Sequence, residues 1–211
     1  MKNISRKAVL NIKFSIREYA IERSVNMTIY TVGHYDYDLE QFLDMLKQAK
    51  VTKIIDVRSF PNSKRHLQYK QEPFQKWLKE HDIGYRHLTA LGGRRQRSGE
   101  VGENLNAGWQ NQSFHNYADY TLTNDFKEGI QYLFAEAEED TVALMCAERH
   151  PSRCHRLIIS NWLVGHDVEV KHIIVSNKGE IDIVPHELGK WGAMPILEDD
   201  GEVVYPKLES K

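Results

Sequence analysis

Cys146 and Cys154 stand in the run C-A-E-R-H-P-S-R-C-H-R, residues 146–156, which also carries Glu148, Arg153, His155 and Arg156. If a strand ends here and passes through a tight loop into a helix, backbone N–H groups are exposed at the helix start. Arg153 and Arg156 then add charge for an anion such as phosphate. Cys146 in that field would have a lowered pKa and act as a nucleophile, as in sulfur-transfer and cysteine-phosphatase loops. Glu148 works against this reading, because a carboxylate in the loop repels a dianion; it suits a general acid or base better. Unpaired cysteines are also among the most buried residues, so Cys146 could simply fill the core. Cys146, Cys154, His155 and His34 would offer zinc four ligands of suitable softness. The seven residues between the cysteines nevertheless differ from the roughly two-to-four spacing of structural zinc sites. The reading is therefore of no cofactor, with zinc as the lesser alternative.

Polar residues close two other apolar runs. Gly33 and His34 follow the first, and Asp56 and Arg58 the second. Two positions apart on an extended chain, Asp56 and Arg58 point to one side while Val57 points to the other, so they either act on one ligand together or form an internal ion pair. After the second run comes Pro61 to Ser63, with Lys64 and Arg65. The loop Leu91 to Gly99 adds Gly92 and Gly93, which permit close backbone approach, and Arg94, Arg95 and Arg97. Such a patch fits a few phosphates better than a long duplex track, or is a solvated loop. Trp109, Phe114, Tyr117 and Tyr120 could stack on a base, although their helical spacing makes them core first.

The elements that position these residues follow from patterning. Thr28 to Gly33 reads as a strand, and Asp36 or Asp38 caps a helix with Leu39, Phe42, Leu43 and Leu46 on one face. Lys53 to Arg58, Tyr85 to Leu88, Thr141 to Cys146 and Val168 to Val175 read as further strands. Helices fit around Phe74 to Leu78, from Phe114 to Ala137 with a restart at Asn124 or Asp125, and from a Ser152 cap to Gly165. Alternation of strands and helices predicts an α/β fold, a mostly parallel sheet with helices on both faces, in which loops at the C-terminal strand ends gather round a crevice. The expected organisation is an N-terminal extension over residues 1–26, a core domain over 27–175, and a hairpin or tail over 176–211.

At 211 residues the chain suits one domain. With 28 Lys plus Arg against 30 Asp plus Glu, no global field draws it to nucleic acid or lipid, so any anion site is local. Two cysteines and no long apolar stretch suit a cytoplasmic protein rather than a membrane or disulfide-rich one. Residues 1–26 lack the apolar core and cleavage site of a secretory signal.

T-V-G-H at 31–34, D-V-R at 56–58, P-N-S at 61–63, L-G-G at 91–93, C-A-E at 146–148 and C-H-R at 154–156 together resemble the bacterial and archaeal family called domain of unknown function 488, over roughly residues 28–175. The resemblance implies a compact α/β domain and assigns it no activity. Tyr35 departs from the serine common at that place in the family.

These features favour an enzyme acting on a phosphate-bearing small molecule or nucleic-acid component. Arg58, Arg94 and Arg156 would bind anionic groups, helped by Ser63, Gly92, Gly93, Arg153 and His155. Glu148 or Asp56 would serve as acid or base, and His34 would orient substrate. The alternative is a non-catalytic module holding a nucleotide or nucleic-acid end; third is a cysteine-dependent sulfur or phosphoryl transferase using Cys146. Because the first strand begins at Thr28, a chain starting at Met27 should keep its melting temperature to within a few degrees. A drop beyond roughly 4 °C, on the order of 1 kcal/mol or more for a domain of this size, would mean that residues 1–26 pack on the core.

Overall fold

A computed structural model describes residues 27–62 and 64–207. The expectations placed on residues 1–26 and on Ser63 lie outside the described residues. The first strand, β1 (Thr28–Gly33), is followed by α1 (Leu39–Gln48), whose N-terminus is closed by Asp38: its carboxylate accepts from the Gln41 amide. β2 (Lys53–Asp56), α2 (Gln71–Glu80) and β3 (Gly84–His87) repeat the pattern. Two helices then precede the next strand, α3 (Gln112–Thr121) and α4 (Asn124–Glu139), with the Thr123 hydroxyl capping the second. β4 (Val142–Cys146), α5 (Arg156–Gly165) and β5 (Glu169–Val175) complete the alternation.

The strands join in the order β3-β2-β4-β1-β5-β6, all parallel except β6 (Ile181–Pro185), which pairs antiparallel with β5. Side chains alternate across each strand, and this divides the core in two. Val32, Ile54, Ala143 and Met145 face α1 and α2, meeting Phe42, Leu46, Phe74 and Leu78. Ile29, Ile55, Val57, Leu144 and Cys146 face α3, α4 and α5, meeting Tyr117, Phe126, Ile130 and Ile158. With both faces covered, β4 is buried along its whole length, as its unbroken apolar run requires. Tyr117 lies in this core, with Phe114 and Tyr120 packed at its margin, so helical spacing did indicate burial.

One feature differs from the sequence reading. Ser152 does not cap α5. It sits in a short 3-10 turn, Pro151–Arg153, capped by the His150 ring, and α5 begins at Arg156. After Val175 the chain adds β6 to the main sheet, antiparallel to β5, and a small hairpin of β7 (Ile196–Leu197) and β8 (Val203–Val204). Tyr205, just beyond it, is wholly buried.

A chain of buried hydrogen bonds ties this C-terminal segment down. Asn161 Oδ1 can only accept, so the His186 Nε2–H donates to it (2.8 Å) and His186 Nδ1 is left to accept from His172 Nε2–H (2.9 Å). His172 Nδ1 then accepts from the Thr31 hydroxyl (2.7 Å), and the Asn161 amide donates to the Tyr205 hydroxyl (3.1 Å). The pattern requires both histidines to be neutral. Burial holds His172 down to about 2 and His186 to about 4, from an ordinary 6.5.

Among the described residues no helix is long and apolar enough to cross a membrane. Because the unfolded chain binds protons at these two histidines near pH 6.5 and the folded chain does not, the stabilisation is complete above that value and is lost as pH falls from about 6.5 through about 4 for His186 and on to about 2 for His172. The melting temperature should therefore fall steadily over that interval. A flat profile measured by calorimetry would show that the histidines are not held neutral.

Candidate functional site

The residues singled out from the sequence gather at the C-terminal edge of the sheet, in two groups on opposite faces. Asp56 alternates with Ile54 and so lies on the α1/α2 side; Cys146 alternates with Leu144 and lies on the α3–α5 side. The strand ends are joined through the backbone: the His34 amide donates to the Cys146 carbonyl (3.0 Å) and the Val57 amide to the Met145 carbonyl (3.0 Å).

The first group is closed on itself. Asp56, with no exposed surface, accepts from the Arg58 amide (3.0 Å), from Arg58 Nε (2.9 Å) and Nη2 (2.6 Å), and from the Tyr85 hydroxyl (2.6 Å). Arg58 spends its other amino group on the Tyr69 carbonyl (2.8 Å) and on His34 Nε2 (3.3 Å). Burial opposes the Arg58 charge, and Asp56 more than offsets it, so the guanidinium is held above its ordinary value. Burial, with the Asp56 charge beside it, likewise raises Tyr85, which therefore donates rather than ionises. His34 stacks on Tyr69 with ring centroids 4.2 Å apart, and its Nδ1–H donates to the Tyr35 carbonyl (2.8 Å). Burial and the Arg58 charge bring His34 down to about 3, leaving a neutral ring whose Nε2 accepts. Asp56 and Arg58 thus share one side, as their spacing implies, and are bonded to each other.

The second group holds the thiols. Cys146 Sγ, Cys154 Sγ and a ring nitrogen of His155 all lie within 4.8 Å of one another. Arg156, 1% exposed, donates from Nε to Cys154 Sγ (3.4 Å) and from Nη2 to the Glu148 carbonyl, so one guanidinium both touches sulfur and closes the loop 147–155. His155 Nδ1 is 3.5 Å from the same sulfur. Burial alone would raise the Cys154 thiol, but the hydrogen bond from Cys146 and the adjacent His155 and Arg156 reverse this and hold it well below the ordinary range. Cys146, giving its proton toward Cys154 and itself buried, is pushed up. The sulfur held low is Cys154, whereas the thiol alternative weighed from the sequence placed the nucleophile at Cys146. The adjacent C-H-R triplet was the signal that could have found it, since it puts an imidazole and a guanidinium within two residues of that thiol.

Glycines shape this group. The loop leaving β4 passes so close to β1 that a Cβ at Gly33 would stand 2.0 Å from the Glu148 carbonyl oxygen. A Cβ at Gly93 would stand 2.3 Å from His155 Nδ1, so the Gly92–Gly93 backbone lies against the ring, whose other neighbour is Tyr117 at 4.9 Å. His155 Nε2 is buried with no hydrogen-bond partner among the described residues. Gly92 is buried beside Ser59, whose hydroxyl accepts from the Arg94 amide (2.9 Å). The Glu148, Arg94 and Arg153 side chains are exposed at the rim, and the Arg94 guanidinium lies 5.2 Å over the Phe60 ring. Arg95 is turned inward, stacked on Tyr120 at 3.6 Å, and Arg97 pairs with Glu103.

Fold and site together define an α/β protein whose polar groups collect at the C-terminal edge of a mostly parallel sheet, around two buried cysteines. Over residues 38–163 the sequence matches the family described as Domain of unknown function DUF488, and the chain belongs to that family. No curated protein and no solved structure matches the chain.

The closed first group has a direct consequence for stability. Asp56→Asn leaves the Arg58 guanidinium buried without its counter-charge, and urea unfolding should show a loss of about 3–5 kcal/mol. A loss below about 1 kcal/mol would mean that water reaches Arg58 and that the pair is not sealed.

Proposed function

We propose that this protein is a thiol-dependent enzyme transferring a sulfur or phosphoryl group, with Cys154 as the nucleophile. The observation that carries the reading is the buried Arg156 Nε–H directed at Cys154 Sγ, because a buried guanidinium donating to sulfur favours the thiolate. In the first half-reaction the Cys154 thiolate attacks the sulfur or phosphorus of the donor, and the bond to the leaving group breaks with its electron pair. In the second, an acceptor attacks the group now on Cys154 and the thiolate departs as it began. Donor phosphates or other anions would meet the exposed Arg153 and Arg94 at the rim. Glu148, exposed beside the loop, is the group left to carry protons to and from the leaving group and acceptor. Asp56 has its oxygens committed to Arg58 and Tyr85 and acts by holding that side of the sheet edge.

A second reading also has a specific observation behind it. A tetrahedral zinc with sulfur at about 2.3 Å and nitrogen at about 2.0 Å sets those ligand atoms about 3.5 Å apart, and Cys154 Sγ and His155 Nδ1 are 3.5 Å apart. Cys146, Cys154 and His155 would then be three ligands, leaving a fourth position open.

The ultraviolet absorbance of thiolate separates these readings before any substrate is known. The metal-free native chain should retain one thiolate signal at pH values well below the ordinary thiol pKa of about 8.5, and Cys154→Ser should remove it. A signal that a chelator abolishes favours zinc instead. If the native protein titrates like a free thiol with and without chelator, the nucleophile reading fails.

A further inference from the structure

We propose that Cys146 and Cys154 are a peroxide-sensitive pair that closes to an intramolecular disulfide and reopens with a dithiol. The inference rests on Cys154 being the thiolate, and it goes further by giving Cys146 a chemical task. As a spacer in the core, Cys146 would need only to be small and apolar. Instead it ends β4 with its sulfur within 4.8 Å of both Cys154 Sγ and the His155 ring, across a loop of seven residues held shut by Arg156. Both thiols are free, and at 9% and 4% exposure they admit a small oxidant more readily than a protein-sized one.

The chemistry balances with a hydroperoxide as oxidant. The Cys154 thiolate attacks one oxygen of the O–O bond; that bond breaks, the second oxygen leaves as hydroxide or alkoxide, and sulfur is oxidised by two electrons to a sulfenic acid. The sulfur of Cys146 then attacks Cys154 sulfur. An S–S bond forms, the S–O bond breaks, and the departing hydroxyl leaves as water with the Cys146 proton. Without a second thiol in reach, the sulfenic acid would meet more peroxide and go on to the irreversible sulfinic acid. Cys146 therefore preserves the nucleophile in a form that a dithiol restores.

Intact mass spectrometry of the full chain after hydrogen peroxide tests this. The expected product is lighter by about 2 Da, monomeric, and returned to its starting mass by dithiothreitol. Cys146→Ala should instead trap dimedone and then gain about 32 Da that dithiothreitol does not remove. If that variant does not fold, the mass of the unaltered chain decides alone. A full chain that gains about 16 or 32 Da without losing about 2 Da overturns the inference, as does a disulfide joining two molecules. Such a result alongside a persistent Cys154 thiolate absorbance leaves the nucleophile reading intact, whereas loss of that absorbance removes both.

Discussion

The chain leaving β4 must cross the end of β1 to reach α5, and the space for that crossing exists because position 33 carries no side chain. The Glu148 carbonyl lies 2.0 Å from where a Cβ would stand, a separation that only glycine permits. The crossing brings residues 147–155 down onto the sheet edge, where the Tyr35 amide donates to the Ala147 carbonyl (2.9 Å) and Arg156 can reach back to the Glu148 carbonyl. Cys154 returns beside Cys146 as a result. A side chain at 33 would collide with the backbone at Glu148 and Arg149, so the path of the loop that carries Cys154 depends on a backbone contact made on a different strand.

The two polar groups at this edge solve different problems. On the α1/α2 side a carboxylate and a guanidinium are removed from water, which costs several kcal/mol per ion unless each lone pair and proton finds a partner. Tyr85, Tyr69 and neutral His34 complete that set, and His87 Nε2–H donates to the Arg58 carbonyl (2.9 Å) to fix the turn that follows. On the α3–α5 side the accounting is left open: His155 Nε2 has no partner among the described residues, and one thiol is held low by its neighbours while the other is held high. Saturation gives rigidity, and an unpaired buried polar atom costs free energy. The saturated group lies directly behind the incomplete one, joined to it by the pairing of β2 and β1 with β4.

How far the sequence could be read follows from which interactions are local. β1 was legible to the residue because its apolar run is bounded by Gly33, and the start of α1 because Asp38 can reach an amide only three residues on. That Asp56 and Arg58 share one side was legible for the same reason, while their bonding to each other was one of two readings. Ser152 misled because its neighbourhood resembles a cap, whereas His150, with Pro151 after it, captures the amide first. What could not be read depends on strand order. That Cys146 and Asp56 face opposite sides follows from the register of β2 against β4, Asp56 beside Met145, which no local pattern encodes. The contribution of residues after Val175 was hidden likewise, since His186 and Tyr205 are anchored by Asn161 on a distant helix.

The same three atoms, two sulfurs and a ring nitrogen, could serve either a metal or covalent chemistry, and Arg156 tips the balance. A divalent ion held by Cys146, Cys154 and His155 would be neutralised by the two thiolates, leaving Arg156, 1% exposed and already bonded to one of those sulfurs, as a buried charge without a counter-ion of its own. An uncompensated charge is costly in that low-dielectric interior, where unit charges a few ångströms apart interact far more strongly than in water. One thiolate facing one guanidinium is neutral and needs no further ion, and Cys146 can keep its proton as the donor to that thiolate. The seven-residue loop keeps the cysteines apart in sequence while Arg156 draws them together in space. On the reading proposed above, Arg156 is the counter-charge of the Cys154 thiolate and Cys146 the thiol beside it.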